Sequence, residues 1–410
     1  MEERILRKYA ALAVRSGVNV QKGQPLVVKA SVRDAAFVEM CVLEAYQAGA
    51  SDVSVQWSDE ILRHMDFEYQ SLETLTDIPD WLEERVKREH DRGVCYLYID
   101  SDTPGFMSDI DPEKLQKSQL ARMSRMEPYA AYTMNNIGQW CIVALPNPRW
   151  ACKVFPGKTE PEAMDALWKA ILSSVRVRED NDPVLEWQKH DQELEEHCRI
   201  LNGYAFQALH FENSRGTDLT VSLAEGHIWA GGGCTTPSGV FFNPNMPTEE
   251  CFCMPDRCHV EGIVHATMPL AYQGKLIENF WLRFEGGQVV DFGAESGEDT
   301  LKGLLDTDEG ARRLGEVALI SYHSPISDLN LLFFNTLFDE NASCHLALGR
   351  SYPENISGGL DMSREELLEH GGNYSLEHVD FMFGSSDMSV TGIQKDGTEV
   401  PVFRQGDFVF

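Results

Sequence analysis

Near residue 208 the sequence changes its hydrophobic period, and this restricts the chain to folds with two differently built halves. Before that point, short apolar runs alternate with longer amphipathic stretches. Pro25 to Ala30, Asp52 to Trp57, Val94 to Ile99 and Trp140 to Leu145 read as strands. The segments between them have helix length, and Phe37, Val38, Cys41, Val42 and Ala45 recur at helical spacing before a terminating Gly49. Such alternation needs crossover connections and predicts a parallel sheet. Two charged helical segments follow, Pro161 to Val177 and Pro183 to Asn202. Beyond them Asp218 to Leu223 alternates with period two, and Gly, Pro and Asn clusters punctuate at short intervals. Helices expected at 298–305 and 308–314 make the second half α+β and not a pure barrel. The expected fold is therefore α/β followed by α+β: an N-terminal βαβ domain with a parallel sheet over 1–203, then a strand-rich α+β domain over 204–410. A length of 410 residues suits two domains.

Charge narrows the partners. With 65 Asp+Glu against 35 Lys+Arg, a formal net of -30, the chain repels a phosphate backbone or an anionic membrane. No run approaches the roughly 18 apolar residues of a membrane span, and the opening Met1-Glu2-Glu3-Arg4 lacks an apolar signal core, so the expected location is cytoplasmic. The ten cysteines stand mostly alone in apolar runs and read as reduced, buried thiols.

Several familiar motifs fail on spacing. Gly157-Lys158-Thr159 would need a glycine at 152 to form a phosphate loop, and Cys152 stands there. Gly231-Gly232-Gly233 lacks the third glycine of a dinucleotide site, since position 236 is Thr236. Neither His-Glu-x-x-His nor Gly-x-Ser-x-Gly occurs. Cys251, Cys253, Cys258 and His259 crowd into nine residues without the two separated ligand pairs of a structural zinc site.

A different set of residues carries chemistry. In Leu376 to Phe383, His378 and Asp380 share one face of a strand while Val379 and Phe381 share the other. Glu340 and His345 lie five residues apart among apolar neighbours. Glu316 directly precedes an apolar run, and Glu249-Glu250 form an acidic pair on a Pro-containing loop. Taken singly, each also fits a half-exposed strand, a helix end or a surface loop. Together they offer several carboxylates and two imidazoles, as two divalent ions about 3.5–4 Å apart require when one carboxylate bridges them. Oxygen and nitrogen donors suit zinc, cobalt or manganese, and the nearby cysteines alternate away from the ligand positions.

Asn245-Met246-Pro247-Thr248-Glu249-Glu250, Gly315-Glu316-Val317-Ala318, Leu337 to Asn341 with His345, and His378-Val379-Asp380 with Gly384-Ser385 follow one another in an order and spacing that resembles the aminopeptidase T / aminopeptidase S family of leucyl-type metallo-aminopeptidases. The likeness extends over essentially the whole chain, including Lys8-Tyr9-Ala10 and Gly17 to Gln24. It implies a site of two divalent metal ions per subunit with Glu250, Glu316, His345, His378 and Asp380 as ligands. Glu316 would bridge, and Glu340 would be a ligand or would orient His345. Tyr352, in Gly349 to Pro353, matches the catalytic tyrosine, and Glu250 or Glu316 would shuttle the proton. The implied activity is release of N-terminal residues from short peptides with a free N-terminus, by a homodimer whose sites face an enclosed cavity. Cys251, Cys253 and Cys258 depart from the family pattern without removing a ligand. Two other readings keep the residue types. One is a two-metal phosphoesterase using Arg312, Arg313 or Arg350, and the other is a non-catalytic ligand-binding protein with structural metal.

Overall fold

β1 (Leu26–Ser31) is buried along almost its whole length, as a strand covered on both faces must be. The computed structural model describes residues 2–410. β1 pairs in parallel with β2 (Val53–Ser58) and with β3 (Cys95–Asp100), and β3 pairs in parallel with β4 (Trp140–Ala144). Helices fill the connections. The first, Ala35–Ala48, ends where Gly49 enters the left-handed region at φ 102°. The expected parallel sheet is thus present, with one strand the periodicity did not reveal. Asn245–Met246 adds in parallel beside β4, giving the order Asn245–Met246, β4, β3, β1, β2.

By its contacts the chain divides into two units, Met1–Lys189 with Gly233–Pro247, and His190–Gly232 with Thr248–Phe410. The 203/204 boundary expected from the sequence lies near the end of the helix Pro183–Tyr204, whereas the contact division falls within that helix. Segment 233–247 leaves the run of the second unit and supplies the edge of the first unit's sheet.

The second unit is strand-rich, as its period-two patterning predicts. An eight-stranded sheet carries Pro255–His265, Asp218–Leu223, Ala208–Glu212 and Ser389–Ile393 at its centre, with antiparallel pairing throughout. A five-stranded sheet runs in the order His378–Met382, His345–Gly349, Leu314–Leu319, Cys251–Cys253, Ala230–Gly231, also antiparallel. One hydrophobic core joins them, with Val221, Leu209, Val264 and Val390 from the larger sheet and Val317, Leu319, Leu346, Leu348 and Phe381 from the smaller. The helix Glu298–Leu305 adds Leu301, Leu304 and Leu305 to that core, as expected.

The helix expected at 308–314 does not form. Asp308 instead accepts the Ala311 N–H, the Ser375 hydroxyl and the Leu376 N–H, which fixes a short 3-10 turn at Gly310–Arg312 before a strand begins at Leu314. The register slips between Leu314 and Glu316 in a bulge at Gly315. A Cβ at Gly315 would sit 2.3 Å from the Arg350 carbonyl oxygen and 2.4 Å from that of Gly349, so only glycine lets the two chains approach there. Among the described residues no helix is long and apolar enough to cross a membrane.

Candidate metal centre

The five-stranded sheet sorts its side chains by pleat. Glu316 lies opposite Ala347, Ala347 opposite Asp380, His345 opposite Ala318, and His378 opposite Gly349. Directly opposed residues share a face, so Glu316, His345, His378 and Asp380 all project to one side. Ala318, Ala347 and Gly349 lie among them on that face, and their small size leaves room for the imidazoles. Val317, Leu319, Leu346, Leu348 and Phe381 take the opposite face and enter the core. Cys251 and Cys253 pair with Leu319 and Val317, which puts both thiols on the core side. Glu250, one residue earlier, falls to the polar side.

The polar groups converge. The Nε2 atom of His345 lies 3.2 Å from Glu250 Oε2 and 3.3 Å from Glu316 Oε1. That of His378 lies 3.7 Å from Glu316 Oε2 and 3.4 Å from Asp380 Oδ1. The two oxygens of Glu316 therefore face different imidazoles. Two groups have ligand atoms within 4.8 Å of one another, Glu250, Glu316 and His345 in one and Glu316, His378 and Asp380 in the other. Among the described residues these are the candidate ion sites, and both include Glu316. Cys258 is exposed and His259 turns to Asp256, so the cysteine-rich stretch does not assemble into a third.

Each imidazole is oriented from behind. His345 Nδ1 faces the Ser343 carbonyl at 3.4 Å and His378 Nδ1 the Arg350 carbonyl at 2.7 Å. Nδ1 must be the protonated nitrogen there, which presents Nε2 to the carboxylates. Asp380 Oδ1 is buried, and its nearest donor, His378 Nε2 at 3.4 Å, does not complete a well-formed hydrogen bond. Four carboxyl groups (Glu250, Glu316, Glu340, Asp380) against two imidazoles give a formal surplus of two negative charges when every acid is ionised and both imidazoles are imidazolium. A buried surplus of this sign, an acceptor without a well-formed hydrogen bond, and oxygen and nitrogen donors without thiolate all fit divalent cations.

The ionisation of the cluster follows the same crowding. Burial raises the Glu316 carboxyl, and Glu250 and Asp380 add to the rise against the pull of His345 and His378. Burial also raises the Glu340 carboxyl well above the usual range, and Asp380 and Glu250 push it further. Burial alone would lower His345, but Glu250 and Glu316 outweigh it and hold that imidazole well above its ordinary value. His378 is likewise opposed by burial, yet Asp380 and Glu316 bring it to about 10. Desolvation works against the Asp380 carboxylate, and His378 overcomes it to hold the group below its usual value.

Glu340 belongs to neither group, although its enclosed carboxyl feels the charge of both. The Glu249 carboxylate turns instead to His190, 3.7 Å from its Nε2. Tyr352 follows the His345 strand, and its ring lies 4.7 Å from that of His378. Desolvation and the charges of Glu316 and Asp380 raise its phenol far above the ordinary value, so it stays a proton-bearing donor. Phe252, an aromatic that the sequence did not single out, flanks Tyr352 at 6.3 Å from the strand position opposite Ala318. Period two from Glu250 would have placed it on this face.

The family model for thermophilic metalloprotease (M29) matches residues 2–408. The chain belongs to this family. It is 46% identical over 405 residues to aminopeptidase AmpS of Bacillus subtilis, covering 99% of this chain and 98% of that one. It is 44% identical over 408 residues to aminopeptidase 2 of Geobacillus stearothermophilus, covering 100% and 98%. Among solved structures, AmpT from Thermus thermophilus superposes with a TM-score of 0.92 at 42% identity and full coverage of both chains. Membership of a metalloprotease family makes this chain a metal-dependent hydrolase and accords with the expected two-part fold.

Because the surrounding carboxylates favour the imidazolium forms of His345 and His378, a cation that binds their Nε2 atoms competes with protons there. Loading is expected to release protons from the ligand groups and to weaken as pH falls. Calorimetric titration of ion-free protein with zinc, in buffers of different ionisation enthalpy, checks this. Absence of proton release contradicts the displacement of protons from the two imidazoles.

Proposed function

We propose that this metalloprotease is an aminopeptidase that removes N-terminal residues from short peptides at a centre of two divalent ions. Glu250, Glu316, His345, His378 and Asp380 would hold the ions, with Glu316 as the shared ligand and Glu340 beside them. The geometry of Glu316 carries the reading, since its two oxygens face two separate imidazoles and each of the two ligand groups needs it. The names of the curated relatives, both aminopeptidases, support the class of reaction.

Zinc, cobalt or manganese held there would supply Lewis acidity, activating a water and polarising the scissile carbonyl. The chain's own groups do the rest. The buried surplus of carboxylates suits the α-ammonium of a free N-terminus. Glu250 and Glu316 both face His345 Nε2, which puts two carboxylates beside one ligand group. That pair is suited to take a proton from the attacking water and pass it to the departing amine. The Tyr352 phenol, kept protonated by its surroundings, donates to the oxygen on which charge develops. The likeness to the family further supports a homodimer acting in the cytoplasm on peptides admitted to an enclosed cavity.

The phosphoester alternative lacks its cations. Arg312 pairs with Asp306, the Arg313 guanidinium donates to the Arg257 carbonyl, and Arg350 donates to the Ser375 carbonyl and lies over the Tyr374 ring. None of these interactions leads to the ion cluster.

Purified protein is expected to release amino acids from aminoacyl-anilides, to lose that activity in chelator and to regain it with zinc, cobalt or manganese. Amino-blocked anilides should not react. Full activity in chelator contradicts the two-ion mechanism, and hydrolysis of nitrophenyl phosphate without any of the anilides contradicts the peptidase. Tyr352→Phe should lower kcat by about 100-fold with little change in KM, the scale of one lost oxyanion donor. An unchanged kcat removes Tyr352 from the mechanism.

A further inference from the structure

Asn341 follows Glu340 directly and is fully buried, at 0% exposure. Its side-chain amide joins two segments that lie 92 residues apart in sequence. Oδ1 accepts the Glu249 backbone N–H at 2.8 Å. Nδ2 donates to the Leu337 carbonyl at 3.1 Å and to Glu340 Oε1 at 3.4 Å. A backbone N–H only donates, so the orientation of the amide is fixed, with oxygen toward Glu249 and NH2 toward Glu340.

The contacts on both sides lead to the ion cluster. Glu249 precedes Glu250, and the bond to its N–H sets how the chain enters the Cys251–Cys253 strand and where the Glu250 carboxylate starts. On the other side the Glu340 carboxylate sits among charges of its own sign, and the Asn341 N–H is a neutral donor that holds it in one direction. The site has no exposure, so loss of the amide leaves the Glu249 N–H without a protein partner.

We propose that Asn341 is a positioning residue that holds Glu250 and Glu340 in register for the divalent ion nearest them. The inference rests on the two-ion reading above and assigns to Asn341 no contact with substrate. Groups that orient ligands typically change ion affinity by 10- to 100-fold when removed.

The test is the affinity of chelator-stripped protein for zinc alone, measured by competition with a chromophoric chelator, for wild type, Asn341→Ala and Asn341→Asp. Asn341→Asp keeps the acceptor for the Glu249 N–H and the shape of the side chain, so it protects the fold if Asn341→Ala unfolds. By charge alone, an extra carboxylate beside the cluster would tighten cation binding. Positioning predicts the opposite, a loss of about 10- to 100-fold in one of the two zinc affinities. Zinc affinity in Asn341→Asp that equals or exceeds wild type overturns the assignment. Failure of the wild-type protein to bind zinc at all would instead remove the ion centre, and the positioning role with it.

Discussion

Everything in the second unit's functional face depends on the burial of one carboxylate. Glu316 stands in the middle of a strand whose six residues are all buried, in a sheet otherwise lined with valine, leucine and phenylalanine. Such a group is tolerated only when partners compensate its desolvation. Here they are two imidazoles, one against each oxygen, and those imidazoles are shared in turn with Glu250 and Asp380. The protein's own groups leave the cluster negative. The donor set suits cations, and Glu316 is the residue through which two of them are proposed to be coupled.

The pleat makes this arrangement compatible with a stable core. Neighbouring antiparallel strands deliver one donor or two each to a common face, while the residues between donors fill the hydrophobic interior. Rigid strands place the proposed ligands, and loops place the groups proposed to act around them. Tyr352 comes from the turn after the His345 strand, and Glu340 from the short helical turns before it. The bulge at Gly315 brings the Glu316 strand against the turn that leads to Tyr352, which links the two kinds of position.

Much of this was legible in the sequence, because strand periodicity is a local property. The spacing of His378 and Asp380 gave their common face, and the same rule applied to Cys251 and Cys253 sent both thiols inward. The parallel sheet followed from strand–helix alternation. What the sequence withheld depends on partners remote along the chain. Two residues, Asn245–Met246, join the first sheet from a loop and carry no periodicity of their own. The turn at 310–312 forms because Asp308 finds Ser375 and Leu376, a contact that propensity cannot register. Of the acidic pair, Glu249 faces His190 and Glu250 faces His345, a choice settled by the pleat and by the amide of Asn341.

The central claim is that one carboxylate serves two cations. It is tested most directly by titrating ion-free protein with cobalt(II) and counting bound ions per chain by absorbance and elemental analysis, for wild type and for Glu316→Gln. The account predicts two ions per chain in the wild type and loss of tight binding of both in Glu316→Gln, since neither ligand group is complete without that residue. Retention of one tightly bound ion in Glu316→Gln, or a single ion in the wild type, would contradict it.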